Sequence, residues 1–446
     1  MKRIIYILTA LSFSFAACNK VLDVSPVDSV SSDEAIKDKV GVERALTGSY
    51  NALQAVGLYS RNAIIVGDLA ADNLTWTGTS LEYGQIENKP IPAENSTIEG
   101  MWAASYDGIN RVNNILVKLP SIPDLTPQEY DNFEGEALVI RALLHYYLSS
   151  YFGGVPIRTQ PTLDLSSIDI ARSTLTQVYD QVITDLTIAK SKFSGGKVVG
   201  RANSFSASAL LAKVYLAKYH LTGDKAMADL AVSEAGRVIS EGGYSIVPSY
   251  GTLFDPAIPS AESIFEIVYD VQNYNRLAQY FYSRDLSGRY EVAPTNDLIQ
   301  SFDTSDVRLD FSIAYDAKSQ PYGIKYNDIS GGADRVNVFR LAEMYLIRAE
   351  ALAYTNGDIE AIQDDINIIR NRAGLDNTTA TDIPGLKLAV MNECRHEFAF
   401  EGHRWSDLVR TKTAAAVLGI DEKYTLFPIP LAEMQTNSLM EQNDGY

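Results

Sequence analysis

Seventeen residues near the C-terminus, Cys394–Arg410, hold the densest chemistry in the chain: three arginines, three acids, two of the four histidines and one of the three tryptophans. Histidines and carboxylates at short spacing are what a divalent metal or an acid–base pair requires. His396, Glu397, Glu401 and His403 form the obvious set, but Phe400 stands where a His-Glu-x-x-His helix needs its second histidine. Gly402 also predicts a kink between His396 and His403, so no metal is expected. The same residues suit a scaffold. Met391, Cys394, Phe398 and Trp405 fall at spacings of three, four and seven, a stripe that faces a core. Glu401 stands three before Arg404, and Asp407 three before Arg410, spacings at which helical side chains meet. Arg395, Arg404 and Arg410 balance Glu397, Glu401 and Asp407, so the stretch is read as a structural signature of partly buried ion pairs.

Other catalytic patterns are missing from the sequence: there is no Gly-x-Ser-x-Gly, no Walker loop, no Gly-x-Gly-x-x-Gly and no EF-hand. No cofactor is expected. Glycosidase carboxylate pairs meet in space and leave no linear spacing, so 56 acids keep that reading open. Binding chemistry is better marked. Trp76 lies in a polar stretch beside Asp72 and Asn73, where flat ring and hydrogen-bonding side chains suit a sugar. Tyr274, Tyr280 and Tyr282 belong to a run of eight tyrosines between Tyr269 and Tyr326 and are the second set of candidates.

The elements that must position these residues are mostly helical. Apolar residues recur at spacings of three and four from Asp33 to Leu53 and again over Met101–Leu119. A helix over Glu134–Phe152 ends at Gly153-Gly154-Val155-Pro156, and Ser173 is the expected N-cap of the next. Two further segments read as helix–turn–helix hairpins, one turning at Gly223-Asp224 and one at Gly357-Asp358. Ser263–Tyr269 alternates like a short strand, and periodicity stays weak from there to Tyr326. The expected fold is mainly α: a tetratricopeptide-like hairpin scaffold with long irregular loops and a few short strands.

Of the 446 residues, 46% are hydrophobic and 21% charged, ordinary values for a globular chain. The net charge of −18 argues against a nucleic-acid partner. Residues 1–17 read as a signal peptide, with Lys2 and Arg3 ahead of the apolar run Ile4–Ala17. Phe15-Ala16-Ala17-Cys18 resembles a bacterial lipobox, which makes Cys18 the expected lipidation site and 18–33 a lipidated tether. Cys394 then has no partner for a disulfide.

Several motifs together carry a family resemblance. They are Glu397–Arg410, Arg141-Ala142 with Tyr151–Pro156, Arg348-Ala349-Glu350, and the ending Phe427-Pro428-Ile429-Pro430 with Gln442–Tyr446. On these the chain resembles SusD/RagB lipoproteins. The resemblance implies a single domain over 34–446, with an N-terminal half of about 34–200 and a C-terminal half of about 260–446. It implies an outer-membrane lipoprotein facing outside that binds oligo- or polysaccharide without cleaving it. Delivery would be to a SusC-like TonB-dependent transporter, on which the protein sits as a lid. Peptide cargo, as in RagB-type members, is the alternative, and a glycosidase the remoter one.

Overall fold

The computed structural model describes residues 32–162 and 168–446; the signal peptide, Cys18 and nearly all of the tether lie outside them. Local signals set the helix ends. Pro127 follows Thr126, whose hydroxyl accepts from the Glu129 N–H while the Glu129 carboxylate accepts from the Thr126 N–H. That helix runs Pro127–Phe152 and stops at Gly153. The next, Leu175–Lys192, is capped by Thr174, one residue past the expected Ser173, because Thr174 closes a capping box with Gln177. At the following hairpin Gly223 takes the left-handed conformation that ends one helix, and Asp224 caps the next.

Eight helices pack in chain order, each on its neighbour: Lys39–Leu53, Ser96–Lys118, Pro127–Phe152, Leu175–Lys192, Ser204–Thr222, Lys225–Glu241, Leu341–Tyr354 and Ile359–Arg372. These make four hairpins, two more than the periodicity alone marked out. Ile383–Glu397 then packs on the last pair. Small residues let the helices approach closely, with Ala207, Ala209, Ala212, Ala228, Ala231 and Ala235 all buried. A bidentate pair, Arg141 Nε and Nη2 to Asp185 at 2.8 and 2.7 Å, pins the second hairpin from inside.

Strands occur among the described residues as three antiparallel pairs. β1 (Leu74–Trp76) pairs β3 (Val292–Pro294), β2 (Ser263–Ile267) pairs β6 (Val336–Arg340), and β4 (Ile313–Tyr315) pairs β5 (Pro321–Gly323). The mainly helical architecture with a few short strands is as expected.

The C-terminal charges converge on a buried ionic cluster. Glu397, with no exposed side-chain surface, contacts Arg340 and Arg372 and lies 3.1 Å from Arg308. Glu401 takes Lys325 at 2.8 Å and Arg340 at 2.8 Å, Glu393 takes Arg308 at 2.6 Å, and Glu262 takes Arg372 at 2.9 Å. Burial alone would raise the Glu397 pKa; Arg372, Arg340 and Arg308 outweigh it and hold it far below the usual carboxylate range. The expected Glu401–Arg404 pair does not form. The helix ends at Glu397, and Phe400 and Gly402 at φ +65° and +79° turn the chain before the next helix starts at Arg404, so the three-residue spacing no longer places both on one face. Arg404 turns instead to Asp72, at 2.7 and 2.8 Å. The Asp407–Arg410 pair does form, at 2.8 Å, and Arg410 adds Glu350.

Glu350 gives a titratable handle on this packing. Burial would raise its pKa, but Arg410 and a 2.7 Å hydrogen bond with His220 overcome that and lower it to about 2. A carboxylate depressed in the folded state stabilises above its unfolded pKa, and the gain is lost as pH falls through the folded value. Replacing it, Glu350→Gln, should therefore lower the urea-unfolding free energy at pH 7 by up to about 3 kcal/mol. It should also flatten the loss of stability between pH 4.5 and 2, the window between its ordinary and folded values. An acid limb as steep as in the parent chain would contradict this.

Candidate functional site

The early loop and the middle insertion meet through β1 and β3, where Trp76 stands opposite Val292. Around that seam the backbone is held tightly. Glu291 N–H donates to the Tyr280 carbonyl, Tyr290 N–H to Tyr282 and Arg289 N–H to Gln279. Tyr290 has φ +50°, an uncommon conformation for a bulky side chain, and its hydroxyl donates to the Pro321 carbonyl at 3.0 Å. That bond ties the β4–β5 hairpin to the same seam, and Lys318 to Asp285 at 3.0 Å adds an outer tie.

One buried carboxylate organises the early loop. Glu291 accepts from the Thr79 and Ser80 N–H groups at 2.8 and 2.9 Å, and from the Thr79 hydroxyl at 3.2 Å. Arg289 sits 3.1 Å from it. Burial opposes the charge, but these donors prevail and the Glu291 pKa falls below its ordinary value. Glu87 acts alike on the other side of the loop, accepting from the Trp76 N–H at 2.9 Å and the Thr75 hydroxyl at 2.7 Å.

The candidates separate into three groups. Trp76 is half-buried, its ring lying so close to Gly84 that a Cβ there would come within 2.7 Å of it. Tyr280 is buried, with its hydroxyl accepting from Arg61 Nη1 at 2.6 Å and guanidinium groups of Arg61 and Arg289 within 4.8 and 4.7 Å of its ring. Tyr282 is half-buried against Tyr322, ring centres 5.1 Å apart. Trp76, Tyr280 and Tyr282 are thus gathered by residues 289–292. Tyr274 is exposed and paired with Arg276, on a loop held by Gly332.

Asp72 and Asn73 belong to the signature stretch. Asp72 binds Arg404 and lies 3.1 Å from Arg395; buried Asn73 donates to Asp68 at 2.6 Å and accepts from Arg395 Nε at 3.0 Å. Burial would raise the Asp72 pKa, yet Arg404 and Arg395 hold it below its ordinary value. Arg395 also reaches Asp297 at 2.6 Å. Trp405 is fully buried, with Lys89 Nζ 4.9 Å from its ring centre. His403 stacks on Phe398 and His396 lies against Phe302.

Spacing did not reveal Arg289, Glu291, Thr79, Leu81 or Tyr315. Leu81, Leu286 and Tyr315 are exposed and the Arg289 side chain is 43% exposed, so these segments offer apolar and aromatic surface beside a guanidinium group. The only hint in the sequence was the alternation Arg289-Tyr290-Glu291-Val292. Such a face can stack on C–H surfaces and donate to hydroxyls, while Glu87 and Glu291 are committed to loop N–H groups. The cavity beneath Tyr59, Tyr146 and Tyr147 is about 60 Å³, room for a few waters and no sugar ring.

Helical hairpins that carry a loop-built face of half-buried aromatics define the class of protein. Residues 20–216 match the family model described as starch-binding, associating with outer membrane, and residues 321–425 match that of the SusD family. The chain belongs to the SusD/RagB family. It is 26% identical to SusD-like protein P38 of Formosa agariphila over 96% of each chain. A SusD superfamily protein of Bacteroides vulgatus has the same fold, with a TM-score of 0.83 at 22% identity over 92% of this chain and 99% of that one. Surface glycan-binding protein A of Bacteroides thetaiotaomicron, solved with laminarihexaose, gives 0.77 at 19% identity over 90% and 98%.

The seam leaves no space at one glycine. A Cβ on Gly78 would lie 2.1 Å from Glu291 Oε2 and 2.5 Å from its Cα, a clash no rotamer relieves. Gly78→Ala should cost about 1–3 kcal/mol in urea unfolding, the usual range for overpacking. Unaltered stability would show that the loop is not clamped as described.

Proposed function

We propose that this chain is a surface glycan-binding lipoprotein, anchored through Cys18 to the outer membrane and facing outside. It captures oligo- or polysaccharide on the face built by the early loop, the 283–291 turn and the β4–β5 hairpin. It delivers that cargo, as a lid and without cleavage, to a SusC-like TonB-dependent transporter. Family membership and a relative solved with a bound laminarin oligosaccharide support this reading. The observation that carries it is the seam itself: Trp76, Tyr280, Tyr282 and Arg289 gathered along residues 289–292, the Glu291 carboxylate holding the Thr79–Ser80 turn beside them, with strained backbone at Tyr290.

Affinity electrophoresis on a panel of neutral glucans, beside a peptide digest, tests the reading. A bound glucan should be lost at least tenfold in Trp76→Ala and in Arg289→Ala, as expected for contacts central to a site. Unchanged affinity in both variants would move the site elsewhere, and binding confined to peptides would favour the RagB-type cargo. Released reducing ends would point to a glycosidase. Cys18→Ala should shift the protein out of the detergent phase, and an unaltered distribution would remove the anchor.

A further inference from the structure

Every buried acid among the described residues stands within ion-pair distance of a lysine or arginine, except Asp68 and Asp334. These two accept hydrogen bonds from neutral groups alone. Asp68 takes the Asn73 amide at 2.6 Å and the Gly402 N–H at 2.8 Å. Asp334 takes the Asn327 and Asp328 N–H groups, each at 3.0 Å. An ionised carboxylate buried without a cation is costly, and that cost is relieved either by a proton or by entry of water.

The cations nearby are committed elsewhere. Lys325 and Arg404 face Asp68, but Lys325 holds Glu401 at 2.8 Å and Arg404 holds Asp72 at 2.7 Å. Its other titratable neighbours are the Tyr151 and Tyr326 phenols, which burial keeps neutral. Asp334 faces Asp328 and the phenols of Tyr282 and Tyr326, while Arg335, next in the chain, is held by Glu266 at 2.6 Å. Burial pushes both carboxyls up to about 6 against the pull of their donors, and the Asp328 charge adds to the push on Asp334.

Each carboxylate braces one side of the loop face. Asn73 stands immediately before β1, and its carbonyl accepts from the Thr295 N–H at 3.0 Å, just past β3. Asp334 closes the loop 327–334, whose Gly332 carbonyl accepts from the Asn275 N–H at 2.9 Å. The Asp334 carbonyl accepts from the Asn275 amide at 2.6 Å. Asn275 in turn accepts from the Leu277 N–H at 3.0 Å, at the start of the short helix that carries Tyr280.

We infer that protonation of Asp68 and Asp334 closes the loop face, so that it binds saccharide more tightly in mildly acidic surroundings than in neutral ones. A carboxylate whose folded pKa is raised weighs against the closed form while it is ionised, and that cost vanishes as pH falls through the folded value. At neutral pH, opening of either segment hydrates a buried charge; after protonation opening gains nothing. A face already closed loses less freedom on binding. The consequence for affinity rests on the reading of this face as the saccharide site, whereas the closing does not.

Amide hydrogen exchange at pH 7 and pH 5, corrected for intrinsic rates, tests the closing without a ligand. Protection of residues 73–80 and 327–334 should rise about tenfold from pH 7 to pH 5, the factor for a carboxyl moved from its ordinary value to about 6. Asp68→Asn should abolish the rise in 73–80 and keep it in 327–334, and Asp334→Asn should do the reverse. Protection in the parent chain that is equal at both pH values, or that falls on acidification, would overturn the inference whether or not the variants fold. So would a variant that keeps the rise in its own segment. The best-bound glucan of the panel should bind severalfold tighter at pH 5 in the parent chain and equally at both pH values in the double variant. Equal affinity in the parent chain would overturn the link between closing and binding. Were no glucan bound at either pH, the saccharide reading would fall with that link, and exchange would still decide the closing.

Discussion

Glu397 meets three arginines with no exposed surface of its own, and much of the C-terminal half is arranged to permit it. Its partners arrive from the middle insertion (Arg308), the end of β6 (Arg340) and the end of a hairpin helix (Arg372). A buried charge alone costs several kcal/mol, and the cluster survives because each acid finds a cation with good geometry. Glu262, Asp306, Glu393, Glu397 and Glu401 stand against Arg308, Lys325, Arg340 and Arg372, with Arg370 at the rim 3.4 Å from Glu393. Such a cluster adds little net stability over an apolar core. What it does is fix which segments meet, because any other register strands a charge.

That fixing extends to the loop face around Trp76 by a short route. Arg395 and Arg404, beside the cluster in sequence, hold Asp72, and Asn73 bonds both Asp68 and Arg395. One residue later β1 begins, and it pairs with β3, next to which Glu291 gathers the turn at Thr79 and Ser80. Close approach helps: a Cβ on Gly402 would lie 2.3 Å from the Ala63 carbonyl, so only glycine lets the signature turn reach the Asn62–Leu69 helix. The signature stretch and the early loop are therefore one mechanical unit, although more than 300 residues separate them.

The helical hairpins were legible because their signals are local: caps, left-handed glycines and three-four periodicity. The strand at Ser263 was legible by alternation, and the scaffold character of Cys394–Arg410 by its apolar stripe, with Cys394, Phe398 and Trp405 all buried. Partners were less so. Glu401 and Arg404 looked paired at spacing three, but the helix ends at Glu397, the chain turns through Phe400 and Gly402, and Asp72, 332 residues from Arg404, takes the place of Glu401. Tyrosine content marked the insertion without telling buried rings from exposed ones, since Tyr280 is buried between two arginines and Tyr274 is exposed. Glu291 carried no local sign at all. Its role comes from a turn more than 200 residues earlier, and only folding brings the two together.

The central claim is that the charged signature holds the fold while recognition lies on the loop face. Paired measurements on Arg340→Ala, urea unfolding and glucan affinity well below the melting temperature, test it directly. Removing Arg340 leaves Glu397 and Glu401 short of a cation, so the unfolding free energy should fall by about 3–5 kcal/mol with affinity within twofold of the parent. Unchanged unfolding together with lost binding would contradict it.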